Sequence, residues 1–174
     1  VSLRLNPANF SSRLQWSMAY VYGNVREQFL GFQSTVGDPR ETEWSRSSFD
    51  SRHQVQYTLG YNFFDAVRVS WFGSIRSGNP YTPVVGTDVN GDGLSNDRAF
   101  IVDPASGLAD AATTEGMRSL LSTASGDARE CLQRQLGALA QRNSCRGVWT
   151  KTAFLSVSFN PLKLRLPQRA TISS

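Results

Sequence analysis

The residues with the clearest chemical potential are the oxygen-bearing side chains between positions 88 and 97. Asp88, Asn90 and Asp92 stand at positions 1, 3 and 5 of a calcium-loop pattern, and Gly93 stands at position 6. In such loops short oxygen ligands converge on a hard cation, and the glycine permits a sharp turn. The pattern departs from a helix–loop–helix site because Ala99 occupies position 12, where a bidentate Glu would stand.

A carboxylate from Asp97, at position 10, could close the site instead. The sequence therefore predicts a Ca2+ site. Its candidate ligands are Asp88, Asn90, Asp92, Leu94, Asn96 and Asp97. The alternative is a turn cluster rich in Asn, Asp and Gly that binds no metal.

No catalytic constellation is visible, so we do not expect an enzyme. His53 is the only histidine, and no nucleophile partner stands near it in sequence. Its position at the mouth of a strand favours a structural role. The serine-rich patch at 45–48 has no G-x-S-x-G setting, and there is no nucleotide fingerprint.

Length and charge narrow the class of protein. The chain has 174 residues, enough for one ordinary domain, and a net charge of +4. Its basic residues are mostly arginine and are scattered, which gives a nucleic-acid partner little support. No run of about 18 apolar residues is present, which excludes a helical membrane span.

The two cysteines, Cys131 and Cys145, fit neither a CxxC redox motif nor a zinc pattern. If a helix after Cys131 ended near Gln141, the chain could nearly double back within the remaining four steps. We therefore predict a Cys131–Cys145 disulfide formed in an oxidising compartment, with two free thiols as the alternative.

Apolar residues recur with period 2 along most of the chain, which predicts strands. Between positions 14 and 22 the even residues are Leu, Trp, Met, Tyr and Tyr, and the odd ones are smaller or polar. Several strands are longer than the usual ~5–6 residues and suit a tilted membrane strand. Aromatics near the strand ends would fit an interfacial girdle. The predicted strands lie at 1–5, 11–23, 52–64, 67–77, 150–160 and 162–173.

The connections between these strands alternate between short and long. Tight turns are predicted at 6–9, 64–66 and 160–161, and long loops at 24–51 and 77–149. All short turns would then lie at one end of an antiparallel sheet and all long loops at the other. That asymmetry is typical of outer-membrane barrels.

The second long loop is large enough to hold helices. One has Met117, Leu120, Leu121 and Ala124 on one stripe, Thr113 or Thr114 as N-cap, and Gly126 as its end. The second would open with Asp127 and Glu130 as a capping box and run to near Gln141. Its apolar stripe is Ala128, Cys131, Leu132, Leu136 and Leu139, and we expect the two stripes to pack together.

Several of these runs resemble TonB-dependent outer-membrane receptors of the Oar-like type. The similarity is strongest from position 77 to 149 and covers most of the chain. The runs that carry it are Ser77–Pro83, Asp88–Gly93, Asn96–Phe100, Cys131–Leu132, Gln141–Arg146, Trp149 and Leu164–Arg169.

The resemblance implies that residues 1–174 form an all-β, antiparallel transmembrane segment, about six strands of a 22-stranded barrel. Residues 78–149 would be an extracellular loop with the calcium-type site and two short helices. The whole protein would take up a scarce ligand across the bacterial outer membrane. Its partners would be lipid, the remaining barrel, a plug domain that this chain lacks, and TonB through a missing N-terminal segment.

Six strands cannot close so wide a pore, so we expect the remaining strands on a longer polypeptide or on other chains. The basic residues predicted on the lumen face are Arg13, Arg68, Arg76, Lys163 and Arg165. They would guide an anionic substrate or pair with acidic plug residues.

Two other classes of protein remain open. One is an outer-membrane adhesion or structural protein that uses the same barrel as an anchor. The other is a secreted calcium-binding β-sandwich. The sandwich predicts that the face with Leu14, Trp16, Met18 and Tyr20 is buried between two sheets.

Overall fold

A computed structural model describes residues 1–6, 13–30, 38 and 40–160. The described chain is mostly β, its sheets are antiparallel, and it contains two helices. In chain order the elements are β1 (Ser2–Leu5), β2 (Leu14–Tyr22), β3 (Arg26–Leu30), β4 (Thr42–Arg46), β5 (His53–Phe63), β6 (Val67–Arg76), β7 (Pro80–Tyr81), β8 (Phe100–Ile101), α1 (Ala111–Thr123), α2 (Gly126–Gln133), β9 (Ala138–Leu139), β10 (Cys145–Arg146) and β11 (Thr150–Phe159).

The chain divides into two compact units. Unit 1 comprises residues 1–22, 52–76 and 149–174, and unit 2 comprises residues 23–51 and 77–148. Neither helix of the described chain has both the length and the apolar character that a membrane crossing requires.

Unit 1 is a five-stranded antiparallel sheet in the order β1-β2-β5-β6-β11. Five of the six predicted strands are therefore confirmed, with ends that differ by a few residues. The sixth, at 162–173, lies outside the described residues, as do parts of the turns at 6–9 and 160–161. The tight turn between β5 and β6 is confirmed. It places Phe64 at φ 52° and Asp65 at φ 57°, a left-handed pair whose twist suits a tight hairpin turn.

The register of the sheet separates apolar from polar side chains. One row across four strands is Trp16, Leu59, Trp71 and Leu155. The adjacent row, which points to the opposite face, is Gln15, Gly60, Ser70 and Ser156. Because side chains alternate along every strand, the sheet has one apolar face and one mainly polar face. The mainly polar face also carries the stacked rings of Phe72 and Phe154.

Unit 2 has its own small core, which centres on Ile101, Leu132 and Ala140. Met117 and Leu121 of α1 pack against it together with Leu136, so the predicted contact between the two stripes is confirmed for these residues. Leu120 and Leu139, also assigned to the stripes, are exposed. The segment 24–51, predicted as a loop, contains the β3–β4 hairpin. The pairs β7–β10 and β8–β9 are also additions, each too short to give a periodic signal.

The predicted start and end of the first helix were wrong. Its N-cap is Asp110, not Thr113 or Thr114. The Asp110 carboxylate accepts hydrogen bonds from the Thr113 backbone N–H at 2.9 Å and the Thr113 hydroxyl at 2.7 Å. The helix ends at Thr123, and Gly126 begins the next helix rather than closing this one.

The second helix is shorter than predicted. Its N-cap is Ser125, so the capping box of Asp127 and Glu130 was wrong, and it ends at Gln133 instead of near Gln141. The chain then turns at Gly137, whose φ of 76° is the left-handed conformation that glycine adopts at no steric cost. Leu139 consequently lies in β9 and is exposed.

Candidate functional site

The candidate calcium loop, residues 88–97, is closed at its base by backbone pairing. Val84 and Arg98 form an antiparallel bridge, and the Val85 N–H donates to the Asp97 carbonyl at 2.8 Å. Gly93, the glycine at position 6 of the pattern, adopts φ 86°, so its predicted role in the tight turn is confirmed. The sequence thus places all six candidate ligands in one closed loop.

Asp88 organises the first half of this loop. Its carboxylate accepts backbone hydrogen bonds from Gly91 at 2.7 Å, Asp92 at 3.2 Å and Gly93 at 2.9 Å. A carboxylate has about four lone-pair positions. Three of them are therefore occupied by amides, and about one remains for a cation.

Asp97 closes the loop from the other side and is fully buried. Its Oδ2 accepts the backbone N–H groups of Val89 and Asn90. Its Oδ1 has no hydrogen-bond partner within the part of the chain that the structure describes. A buried carboxylate oxygen without a partner is costly, and a cation would satisfy it.

The remaining candidate ligands differ in their placement. The side-chain Nδ2 of Asn90 donates to Asp92 Oδ2 at 3.3 Å, and the side-chain Oδ1 of Asn90 accepts the Asp92 backbone N–H at 3.0 Å. Leu94 has an exposed side chain, and its N–H donates to Asp92 Oδ1 at 2.8 Å. Asn96 is half-buried. The carboxylates do not gather at one point: among residues 1–6, 13–30, 38 and 40–160, no three His, Cys, Asp or Glu side chains are placed to hold a metal.

The predicted disulfide between Cys131 and Cys145 is confirmed. The two Cα atoms lie 5.4 Å apart, and both residues are buried. Gln135 donates through Nε2 to the Cys131 carbonyl at 3.2 Å, and its Oε1 accepts the Gln141 N–H at 2.8 Å. The link joins α2 to β10 inside unit 2.

A buried ion pair between Asp50 and Arg146 was not predicted. Asp50 is fully buried, and its carboxylate accepts from Arg146 Nη2 and from the Val25 N–H. Arg146 also donates to the Asp50 carbonyl at 2.8 Å and the Gly78 carbonyl at 3.2 Å. The two residues are 96 positions apart, and sequence spacing gives no signal for such a contact.

The basic residues predicted on one face divide into three groups. Arg68 and Arg76 lie on the polar face of the sheet, where Arg68 donates to Gln15 Oε1 at 2.9 Å. Arg13 precedes β2, and its guanidinium lies 5.9 Å from the centre of the Phe64 ring. Lys163 and Arg165 lie outside the described residues. That this face lines a lumen stays a prediction.

His53 belongs to an aromatic cluster at one end of the apolar face. Its Nδ1 lies 2.8 Å from the Tyr20 hydroxyl, and its ring stacks on Trp149 with a centroid distance of 6.1 Å. The Tyr22 ring is 5.3 Å away. These contacts fit the structural role predicted for a histidine at a strand end.

No protein-family model, curated protein or solved structure matches this chain. Its function has therefore to be inferred from its own residues and contacts and from the resemblance that its loop motifs carry.

Proposed function

We propose that unit 1 is part of an outer-membrane β-barrel whose apolar face contacts lipid. The observation that carries the proposal is the exposure of that face in the described structure. Trp71 is 47% exposed in the middle of β6, which is paired on both sides, and Leu155 is 70% exposed in the middle of β11, which pairs with β6 along its whole length. Large apolar patches on a protein surface mark contact with another apolar phase.

The dimensions and the ends of the sheet support a membrane rather than a protein partner. The 11 residues of β5 span roughly 34 Å at ~3.4 Å per residue. At the ~45° tilt of membrane strands this gives a height of roughly 25 Å, which matches the apolar band of outer-membrane barrels. Aromatic side chains lie at both ends of the face: Tyr20, Tyr22 and Trp149 at one end, and Tyr61, Phe63 and Phe159 at the other.

The secreted β-sandwich expects the Leu14, Trp16 and Met18 face to be covered by a second sheet. Within the described residues these side chains are 38–43% exposed. This favours the membrane interpretation over the sandwich, because a sandwich core would leave them nearly dry.

By the Oar-like resemblance, the barrel belongs to a TonB-dependent transporter that takes up a scarce ligand. The polar face would then line the lumen, and residues 78–149 would lie on the extracellular side. A plug domain and a TonB-contacting segment would belong to the rest of the assembly. An adhesion barrel would need neither, so binding of the whole protein to the periplasmic domain of TonB discriminates between the two functions.

Calcium would have a structural role in this transporter. Asp88, Asp92 and Asp97 would supply carboxylate oxygens once they moved together from the separate positions described above. Asn90 and backbone carbonyls near Leu94 and Asn96 would complete the set. The unpartnered, buried Oδ1 of Asp97 supports this proposal. The ion would neutralise the three carboxylates and reduce the entropy cost of ordering a loop this long.

The membrane proposal is tested by the depth of single tryptophans in lipid vesicles. Trp16 and Trp71 lie on the apolar face, Trp149 at its end, and Trp44 in unit 2. Four variants, each keeping one tryptophan and replacing the others with phenylalanine, are reconstituted with lipids brominated at defined depths.

We expect deep bromines to quench Trp71 most strongly and shallow bromines to quench Trp149. Trp44 is the matched control, because it is exposed to water at 63% and should be quenched least. Equal quenching of Trp71 and Trp44, or a protein that remains monomeric in buffer without detergent, would overturn the membrane placement.

A further inference from the structure

Unit 2 contains a cluster in which two arginines share one carboxylate. Arg98 Nη1 lies 3.5 Å from Glu43 Oε1, and Arg142 Nε lies 3.4 Å from Glu43 Oε2. Both ion pairs are long for charge-assisted hydrogen bonds, which are usually ~2.7–2.9 Å. Neither arginine forms an ion pair with any other carboxylate of the described chain, so the cluster carries one excess positive charge.

Because Arg142 is buried, this excess charge has a high desolvation free energy. Its side chain is only 3% exposed, and burial is the main cause that lowers its pKa, although Glu43 acts in the opposite direction. A guanidinium still remains protonated in a protein. A buried cation of this kind is stable only if negative groups face it.

The donors of the cluster are also incompletely used. Within the described residues, the Nε of Arg98 is buried and has no hydrogen-bond partner. Arg142 makes its side-chain hydrogen bond to Glu43 through Nε, and its guanidinium stacks on Phe29 with Cζ 4.9 Å from the ring centre. Phe29 and Glu43 are directly opposite each other in the β3–β4 hairpin. The hairpin therefore fixes the positions of the ring and the carboxylate that contact the Arg142 guanidinium.

The backbone that carries these arginines is well anchored. The Asn143 N–H donates to the Thr82 hydroxyl at 2.8 Å, and the Asn143 amide donates to the Arg46 carbonyl at 2.6 Å. Arg98 is held by its bridge to Val84. The two guanidinium groups are thus placed before any ligand arrives, which lowers the entropy cost of binding.

We propose that Arg98 and Arg142, with Glu43 and Phe29, form a binding subsite for a small oxyanion such as a phosphate or carboxylate group. Guanidinium groups present planar pairs of N–H donors that match two oxygens of such a group. Glu43 bridges the two arginines and is a weak internal competitor for the same donors. The subsite is independent of the proposed membrane function, because all four residues belong to unit 2.

The test is calorimetric titration of the full protein with inorganic phosphate, and separately with acetate, at an ionic strength held constant with chloride. We expect saturable binding of one anion per chain. The anion with the lower Kd, phosphate or acetate, shows whether the subsite prefers a phosphate or a carboxylate group. Arg142→Gln and Arg98→Gln should each weaken that binding about tenfold or more, because each removes a charge-assisted donor.

Glu43→Gln separates a binding site from a purely structural ion pair. Removal of the competing carboxylate should strengthen anion binding several-fold, whereas a structural pair would only lose stability. Arg134→Gln is the matched control, since Arg134 pairs with Glu130 on an exposed helix surface and should leave binding unchanged. If Arg142→Gln does not fold, Arg142→Lys and Arg98→Gln test the contribution of the arginines to anion binding instead.

Three results would overturn the proposal. The first is a response to phosphate and acetate that does not saturate and equals that to chloride. The second is an equal loss in Arg98→Gln and in Arg134→Gln. The third is a Glu43→Gln protein that binds the anion no more tightly than the parent.

Discussion

The two units place their apolar side chains in opposite ways. Unit 2 buries Ile101, Leu132 and Ala140 in a small core. In unit 1 the only buried residue among those described is Gly60, and apolar side chains such as Leu155 lie on an open face. Unit 2 thus has a core of its own, whereas the apolar face of unit 1 is not covered by its own described residues.

The forces that define each unit differ accordingly. Unit 1 owes its shape to backbone ladders between long neighbouring strands and to a tight turn at Phe64 and Asp65. Unit 2 owes its shape to side chains: a disulfide, the Asp50–Arg146 pair and the small core. In lipid the backbone hydrogen bonds between strands would contribute more to stability, because unpaired backbone groups are most costly there. In water the core and the disulfide dominate.

Truncating one leucine in each unit is the most direct test of this difference in burial. Leu132→Ala removes a side chain that is 8% exposed, and it should destabilise unit 2 by about 2–5 kcal/mol through lost burial and a cavity. Leu155→Ala, on the open face, should change stability in detergent by no more than about 0.5 kcal/mol. Urea unfolding, followed through Trp44 for unit 2 and through Trp71 for unit 1, measures both. Equal losses would mean that the face of Leu155 is buried.

Loss of the disulfide should come next in size. Replacing Cys131 and Cys145 with serine opens a loop of about 15 residues, which costs about 3 kcal/mol in the chain-entropy description. The effect should be confined to the Trp44 signal, because both cysteines belong to unit 2. Dithiothreitol treatment of the parent protein should reproduce it. An equal shift in the Trp71 signal would contradict the independence of the two units.

A charged substitution on each face of β11 sharpens the contrast in lipid. Leu155→Arg places a charge on the apolar face and should cost about 2–4 kcal/mol near the bilayer centre. Ser156→Arg, the next residue, points to the polar face and should cost little. Folding yield and urea unfolding in lipid vesicles measure both variants. Similar losses for the two would indicate that neither face contacts lipid.

Calcium tests whether the 88–97 loop adds to the side-chain devices of unit 2. At a concentration 100 times its Kd, calcium should stabilise unit 2 by about 2.7 kcal/mol. Asp97→Asn should abolish this gain because it removes the charge from the buried carboxylate. Asp103→Asn, in another exposed turn, is the control and should retain it. The measurement is urea unfolding of unit 2, followed by Trp44 fluorescence, in calcium and in chelator. Identical unfolding curves would mean that the loop is a turn cluster that binds no calcium.

The strands of the sheet could be predicted because the patterns that indicate them lie in short, contiguous stretches of sequence. Period-2 alternation and tight-turn residues lie in contiguous sequence, so β2, β5, β6 and β11 were located to within a few residues. The β3–β4 hairpin was missed because Arg26–Leu30 and Thr42–Arg46 mix charged and aromatic residues without strict alternation. The helix ends were wrong because several residues near each end were able to cap.

The site was predictable only as a list of residues. The spacing from Asp88 to Asp97 located the loop, but the use of its carboxylates by backbone amides depends on the folded turn. The cluster of Glu43, Arg98 and Arg142 joins positions that are 55 and 99 residues apart. No local pattern encodes contacts at that separation, since they follow from how unit 2 packs.

The smallest effect concerns the N-cap of α1, a helix whose residues are at most partly buried. Hydrogen bonds from the Thr113 hydroxyl and backbone N–H lower the pKa of Asp110. A folded-state pKa below the unfolded value means that the cap contributes fully above the unfolded pKa of about 3.9 and is lost as pH falls through the folded pKa. The protection factors of the α1 amides, which are corrected for the intrinsic pH dependence of exchange, should therefore fall below about pH 4, while those of Cys131 and Leu132 in α2 change less. Asp110→Asn keeps a capping oxygen that does not titrate, so its α1 should lose this pH dependence; parallel curves for parent and variant would exclude Asp110 as the cause.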